Sequence, residues 1–128
     1  MLAELYPTLA PYLDLGLIEQ ALVDLDAMAH QVTELNTRIE EVKAQGMAEA
    51  SPHWRDGKYL YLIHPQRNGE RKREYIGADA GAQKAALQRV ENWSRFQELE
   101  RERDKAQGRL RQSAMELRYT LRQITSKW

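Results

Sequence analysis

The sequence predicts a mainly helical protein in which two long helices form an antiparallel coiled coil with a central β-hairpin. Three observations lead to this prediction. Apolar residues recur at alternating steps of four and three in two long segments, which is the spacing of the seam positions in a coiled coil. An Asn-Gly pair lies between two runs rich in aromatic and β-branched residues. Leu, Ala, Glu, Gln and Arg dominate the composition, as is typical of long helices.

The chain of 128 residues has the length of about one domain. We divide it into an N-terminal strap with the first long helix (1–50), the β-hairpin (51–79) and the long C-terminal helix (80–128). Pro7 and Pro11 prevent a continuous helix at the start, because each lacks an N–H and clashes with the preceding turn. The strap, which is the first fifteen residues, is too apolar for a free tail. We therefore expect it to lie on a helix of its own chain or of a neighbouring chain. A frayed terminus is the alternative.

The first long helix begins at about Asp14 and ends at Gln45-Gly46. Glycine favours the left-handed conformation that follows a helix C-terminus. The predicted seam positions of this helix are Ile18, Leu22, Leu25, Val32 and Ile39.

The last helix is predicted from Ala80 to about Ser126, with Asp79 as its N-cap, because the segment contains no proline. Its seam positions are Leu110, Leu117, Leu121 and Ile124. At 1.5 Å per residue this helix is longer than the first one, so one partner within the chain cannot cover it. The sequence therefore predicts a homodimer.

Between residues 53 and 78 the apolar period changes to about two, which is typical of strands. Asn68-Gly69 is the strongest short-range hairpin signal. With these two residues at the centre of the turn, Tyr61 is expected opposite Ile76, and Leu62 opposite Tyr75. A two-stranded ribbon is marginal by itself, so we expect a third strand from residues 53–55, or a helix, to cover it.

The net charge is zero, with 19 basic and 19 acidic residues, yet the charges are unevenly placed. Residues 1–65 hold 4 basic and 10 acidic groups, whereas residues 66–128 hold 15 basic and 9 acidic groups. The two halves therefore carry net charges of −6 and +6. This asymmetry favours the acidic first helix lying along the basic last helix, within a chain or between chains.

Four cations occur within seven residues near the hairpin turn, and a protruding cationic ribbon can contact the phosphates of a nucleic acid. Charge that protects an exposed sheet edge from aggregation is the alternative interpretation. The candidate nucleic-acid-binding residues are Arg67, Arg71, Lys72, Arg73, Tyr61 and His64.

Aromatic residues cluster around the hairpin. The simplest interpretation is a small core between the hairpin and the start of the last helix. The alternative is that some of the tyrosines stack on bases or contact the sugar–phosphate backbone. The residues concerned are Trp54, Tyr59, Tyr61, Tyr75, Trp93 and Phe96.

No phosphate-binding loop, dinucleotide fingerprint, zincin spacing or nucleophile elbow occurs in the sequence. Cysteine is absent and only three histidines are present, so neither a metal nor another cofactor is expected. We therefore predict a protein that is not an enzyme. No apolar run approaches the length of a membrane span, and we expect a soluble cytoplasmic protein without membrane contact.

The segment from Trp54 to Val90 contains the pieces GKYLYLI, NGERKREYIG and AQKAALQRV. It resembles the arm-type DNA-binding modules of phage and conjugative-element tyrosine recombinases, which carry a three-stranded sheet followed by a helix. Together with VENWSRFQELE, residues 54–99 are also similar to uncharacterised small proteins associated with mobile elements. The threonine that usually starts the family's helix is replaced here by Gly77-Ala78-Asp79-Ala80. The resemblance implies that a sheet with Tyr61, Arg71 and Arg73 enters a nucleic-acid groove.

The long helices have no counterpart in those modules, and no recombinase catalytic domain is present, so the resemblance extends to binding alone. The sequence thus favours a small accessory or regulatory protein of a phage or plasmid that binds nucleic acid through the hairpin and dimerises through the helices. The alternative is a coiled-coil adaptor or inhibitor that binds a larger protein assembly.

Overall fold

The computed structural model describes residues 1–126; Lys127 and Trp128, the end of the predicted C-terminal helix, lie outside the described residues. The protein is mainly helical. Two long helices are in contact, and a three-stranded antiparallel sheet lies between them in the sequence. This architecture confirms the predicted fold class. The elements are α1 (Leu2–Leu5), a 3₁₀ turn (Pro7–Leu9), α2 (Leu15–Gln45), β1 (Ser51–Arg55), β2 (Tyr59–Arg67), β3 (Glu70–Gly77) and α3 (Ala80–Thr125).

The chain divides into two compact units. The helical unit comprises residues 1–35 and the described part of 102–128. The sheet unit comprises residues 36–101, with the end of α2, the whole sheet and the first half of α3. No helix within residues 1–126 is long and apolar enough to cross a membrane.

The ends of both long helices agree with the sequence prediction. Asp14 Oδ1 accepts a hydrogen bond of 3.0 Å from the N–H of Leu17 at the start of α2. Asp79 Oδ2 accepts one of 2.8 Å from the N–H of Ala82 at the start of α3. Both aspartates thus satisfy an N–H that lacks a partner within the helix. Gly46, with φ of 95°, has the left-handed conformation expected after α2.

Within the sheet unit, α2 and α3 run in opposite directions. Lys43 Nζ lies 5.7 Å from the ring centroid of Phe96. Farther along α2, the carbonyl of Gly46 accepts a hydrogen bond of 3.0 Å from Asn92 Nδ2. Residue numbers therefore rise along one helix as they fall along the other, which confirms the predicted antiparallel arrangement. Asn92 is only 4% exposed, and this hydrogen bond offsets the cost of burying its amide.

The sheet has the strand order β1-β2-β3. Asn68 and Gly69 both have positive φ, 54° and 81°, as a two-residue turn with a right-handed twist requires. The predicted turn is therefore confirmed. The predicted third strand at residues 53–55 is also present, as part of the longer strand β1.

The central register of the hairpin differs from the prediction by one residue. Tyr61 pairs with Tyr75, and not with Ile76. Leu62 pairs with Glu74, and not with Tyr75. The predicted central pairs are therefore wrong. The β3 side chains in this central part lie on the face opposite to the one that the predicted register gave them.

Pro65 gives the physical reason for the shift. It lies in β2 beyond Ile63, the last β2 residue that pairs with β1, so only β3 is its neighbour there. Proline has no N–H to donate to the ladder and is tolerated in sheets at bulges or edges. Between the pairs Ile63–Arg73 and Gln66–Arg71, β2 has two residues where β3 has one. A second irregularity, in β3 at Ile76, restores the predicted pairing at the base.

Leu60 and Leu62 form the centre of the core of the sheet unit, since both are fully buried. Ala86 of α3 and Ala48, which follows α2, pack with them. The partly buried neighbours are Ala50, Ile76, Leu87 and Val90. The tyrosines of the hairpin do not belong to this core, so the expectation of an aromatic core under the helix is wrong for them. For Tyr75 the register error explains this result, because it placed Tyr75 on the face of Leu62.

Truncation of neighbouring β2 residues should therefore have very different effects. We expect Leu62→Ala to lower the free energy of unfolding by about 2–5 kcal/mol, because it leaves a cavity in the core. Ile63→Ala, on the opposite face of the same strand, should cost only about 1 kcal/mol. Urea denaturation followed by circular dichroism measures both values. Equal losses would contradict the observed assignment of faces.

In the helical unit, the predicted seam is only partly covered within one chain. Val32 is buried at 8% exposure, and Ile39, which belongs to the sheet unit, is buried at 2%. Leu25, Leu110 and Leu117 are half-buried. The outer seam positions are exposed: Ile18, Leu22, Leu121 and Ile124.

The strap is attached to α2 but leaves most of its large apolar side chains exposed. The N–H of Leu2 donates a hydrogen bond of 2.7 Å to Glu19 Oε1, and this bond lowers the pKa of Glu19. Leu15 is buried and Leu2 is half-buried, whereas the others remain exposed: Met1, Leu5, Tyr6, Leu9, Tyr12 and Leu13. The expectation that a helix of the same chain covers the strap is therefore wrong for these side chains.

Candidate nucleic-acid interface

The candidate interface is the face of the sheet opposite the core, which we call the open face. Side chains alternate between the two faces of a strand, so the neighbours of Leu60 and Leu62 in β2 point away from the core. The observed pairing then places partners from β1 and β3 beside them. The open face comprises Ser51, His53, Arg55, Tyr59, Tyr61, Ile63, Arg73 and Tyr75, and contains no carboxylate.

Two tyrosine rings form the centre of the open face. Tyr61 and Tyr75 are cross-strand partners, and their ring centroids lie 5.0 Å apart at an interplanar angle of 50°. A Cβ atom on Gly77 would lie 3.6 Å from the hydroxyl oxygen of Tyr75, so the Tyr75 ring lies over this glycine. Tyr75 is nevertheless 60% exposed. Its ring is thus positioned by two neighbours and still accessible.

Three consecutive cations follow the hairpin turn in β3. Arg71, Lys72 and Arg73 are all exposed. Among residues 1–126, none of these three side chains has a carboxylate within ion-pair distance. Their charges are therefore available for a ligand.

Two other predicted site residues are engaged within the chain. Arg67 Nη2 lies 3.0 Å from Glu49 Oε2, in an exposed ion pair. His64 Nε2 lies 3.0 Å from Glu74 Oε1. Neither contact was expected from the sequence. The contact of His64 depends on the bulge, and the contact of Arg67 depends on the position of the segment that enters β1.

Glu74 connects the sheet to α3. Its Oε2 accepts a hydrogen bond of 2.9 Å from Arg89 Nη1, while its Oε1 contacts His64. The hydrogen bond from Arg89, followed by the one from His64, holds the pKa of Glu74 below its ordinary value of 4.5. The carboxylate is thus stabilised in its charged form, and its role is structural.

We therefore expect acid to weaken the sheet unit through Glu74. Because its pKa is lower in the folded state, its contribution to stability is complete above the ordinary carboxyl range and is lost as the pH falls through the lowered pKa. Glu74→Gln should lower the free energy of unfolding by about 1 kcal/mol at neutral pH, because solvent screens these half-exposed contacts and keeps the loss small. The difference in the free energy of unfolding between the wild type and the variant should shrink toward about pH 3.

Urea titrations at the two pH values measure this effect. Glu70→Gln at the exposed hairpin turn removes the same charge and serves as the control. A Glu74→Gln deficit that is unchanged at low pH would contradict the assigned role.

The structure brings some of the six predicted site residues together and separates others. Tyr61 and Arg73 lie on the open face. Arg71 lines a cavity of about 440 Å³ whose lining also includes His64 and Trp93. Lys72 lies opposite the bulge.

Sequence reasoning missed His53 and Arg55 as site residues, and it named Tyr59 among the aromatic residues of the hairpin without placing it on one face with them. The signal was present in the sequence, since His53 and Arg55, like Tyr59 and Tyr61, are two residues apart, as residues on one strand face must be. The position of β1 beside β2 was needed to join the two pairs.

No group of three metal-ligating side chains occurs within residues 1–126. Comparison of the chain with models of protein families, with curated proteins and with solved structures finds no match. The features of the chain that bear on its function are therefore the geometry and charge of the open face and of the hairpin.

Proposed function

We propose that this protein is a small, non-catalytic nucleic-acid-binding accessory or regulatory protein that acts by occupying its target. The observation that carries the proposal is the run of three exposed cations that have no carboxylate partner within residues 1–126, Arg71, Lys72 and Arg73, beside a sheet face that contains no acidic residue. Arg67 and His64 are left out of the proposed site, because carboxylates of the same chain contact both of them.

The resemblance to arm-type modules agrees with this proposal, because it also assigns binding to the hairpin. The proposed association with a phage or plasmid depends on that resemblance alone.

A binding assay on the intact protein tests the proposal. Fluorescence anisotropy with labelled single-stranded DNA, duplex DNA and RNA should detect binding at about 50 mM salt, and the affinity should fall steeply toward about 200 mM. This dependence is expected because each neutralised phosphate releases counterions. Absence of binding to all three probes at the lower salt concentration would refute the proposal.

We further propose that the helical unit forms a homodimer. Its seam residues Ile18, Leu22, Leu121 and Ile124 are exposed in the single chain. Residues 1–35 hold six acidic and no Lys or Arg residues, whereas residues 102–126 hold six basic and three acidic ones. A second copy supplies both an apolar stripe and the opposite charge, so it suits this surface better than an unrelated partner.

A protein-binding adaptor or inhibitor is the second candidate function. The exposed apolar side chains of the strap, which include Leu5, Tyr6 and Tyr12, favour it, because such residues commonly mark protein interfaces. The binding assay separates the two functions, since an adaptor that uses the strap has no need for salt-sensitive binding to nucleic acid.

A further inference from the structure

We propose that the open face binds unpaired bases of a single-stranded nucleic acid, and that Tyr75 is the principal stacking residue. This inference rests on the proposed function and specifies its substrate class. It concerns a surface on the sheet itself, whereas the proposed function above depends on the cations that follow the hairpin turn.

The accessibility and fixed position of the Tyr75 ring support stacking. The ring lies over Gly77 and beside Tyr61, whose ring centroid is 5.0 Å away at an interplanar angle of 50°, and 60% of the residue is exposed. An aromatic ring held in this way loses little conformational freedom when a base stacks on it. Every base has a π-face, so such a contact does not require a particular sequence.

Cations flank the tyrosine pair along the strands. Arg55 pairs with Tyr59 at one end of the face, and Arg73 pairs with Ile63 at the other end. Tyr59 and Ile63 are four residues apart in β2, which corresponds to about 13 Å along the strand. A backbone that crosses this face therefore meets a positive charge on both sides of the stacked bases, as single-strand-binding surfaces provide.

The open face also contains a recess of suitable chemistry. A cavity of about 340 Å³ is lined by His53, Arg55, Tyr61, Ile63 and Arg73. This volume is within the range of sites that hold small ligands, about 300–1,000 Å³. Its lining combines aromatic and apolar surface with donors for hydrogen bonds, which matches the faces and edges of a nucleobase.

Unpaired bases suit this surface better than a duplex does. In a duplex, neighbouring base pairs cover both faces of each base, so a tyrosine ring reaches only groove edges and the backbone. Single strands leave the base faces free to stack on aromatic side chains. Duplex binding is accordingly the competing outcome of the test.

The probes are oligo-dT, oligo-U and a mixed-sequence DNA duplex, each labelled with fluorescein. Each is about 12 nucleotides or base pairs long, which is within the site sizes of single-strand-binding domains. The full-length wild-type chain is compared with Tyr75→Leu, which removes the ring, and with Tyr75→Phe, which retains it. Tyr119→Leu is the matched control, because Tyr119 is equally exposed, at 67%, but lies on α3 in the helical unit.

We expect the wild type to bind at least one single-stranded probe more tightly than the duplex. Tyr75→Leu should weaken that binding by at least about five-fold, with little change for the duplex, because one stacking contact is lost. Tyr75→Phe and Tyr119→Leu should bind like the wild type. The DNA and RNA probes show which single strand is preferred.

A wild type that binds the duplex as tightly as the single strands would overturn the inference. A Tyr75→Leu variant with unchanged single-strand affinity, or with equal losses for single strands and duplex, would also overturn it. Those results leave the proposed function intact, whereas failure to bind any probe at about 50 mM salt refutes the proposed function itself.

Discussion

Replacement of Arg71, Lys72 and Arg73 by alanine should reduce nucleic-acid affinity by up to about 1,000-fold at about 50 mM salt. Each cation that neutralises a phosphate of a single strand contributes about 0.7 to the slope of log K against log salt concentration. The loss of three such contacts should therefore reduce that slope by about 2. All three side chains are exposed, so the fold should remain intact. Anisotropy titrations at several salt concentrations measure both the affinity and the slope.

A triple variant with the same change of net charge provides the control. Lys84, Arg101 and Lys105 are exposed residues of α3, and their replacement by alanine also favours the helix. This control variant should keep most of the affinity. Equal losses in the two triple variants would show that overall charge, and not the hairpin, determines binding.

Leu22→Glu and Leu121→Glu should each convert the proposed dimer into a monomer. Leu22 and Leu121 are 53% and 51% exposed in the single chain, so a glutamate there costs the isolated protomer little. In a dimer seam, however, an unpaired carboxylate would be buried, at a cost of several kcal/mol. We expect the dimer dissociation constant to rise at least about 100-fold, which corresponds to about 2.8 kcal/mol.

Light scattering should give a mass of twice 14.9 kDa for the wild type and 14.9 kDa for the two variants. Ala27→Glu adds the same charge at another exposed position of α2 and should leave the dimer intact. The hairpin triple variant should also remain dimeric. A wild type with the mass of one chain would contradict the proposed homodimer.

The architecture was predictable because its signals are local. The helix ends at Asp14, Gly46 and Asp79 follow from capping chemistry, which depends on a few adjacent residues. The turn at Asn68-Gly69 follows from the need for positive φ at two successive positions. These features were read directly from the sequence and agree with the structure.

The composition of the open face was not predictable in full, because it depends on two bulges. A shift of one residue exchanges the faces of a strand, and Pro65 causes such a shift in the middle of β2. The predicted register therefore placed Tyr75 opposite Leu62, although it lies beside Tyr61 on the open face. The ion pair between Arg67 and Glu49 was equally hidden, since it joins residues from separate segments.

Backbone amide chemical shifts, recorded while unlabelled oligo-dT is added to the isotope-labelled protein, locate the binding surface residue by residue. We expect the perturbed amides to be concentrated in residues 51–77, with the largest changes near Tyr61, Arg73 and Tyr75, and α2 to be little affected. Perturbations confined to the strap and α2, or no perturbation at low salt, would contradict binding by the open face.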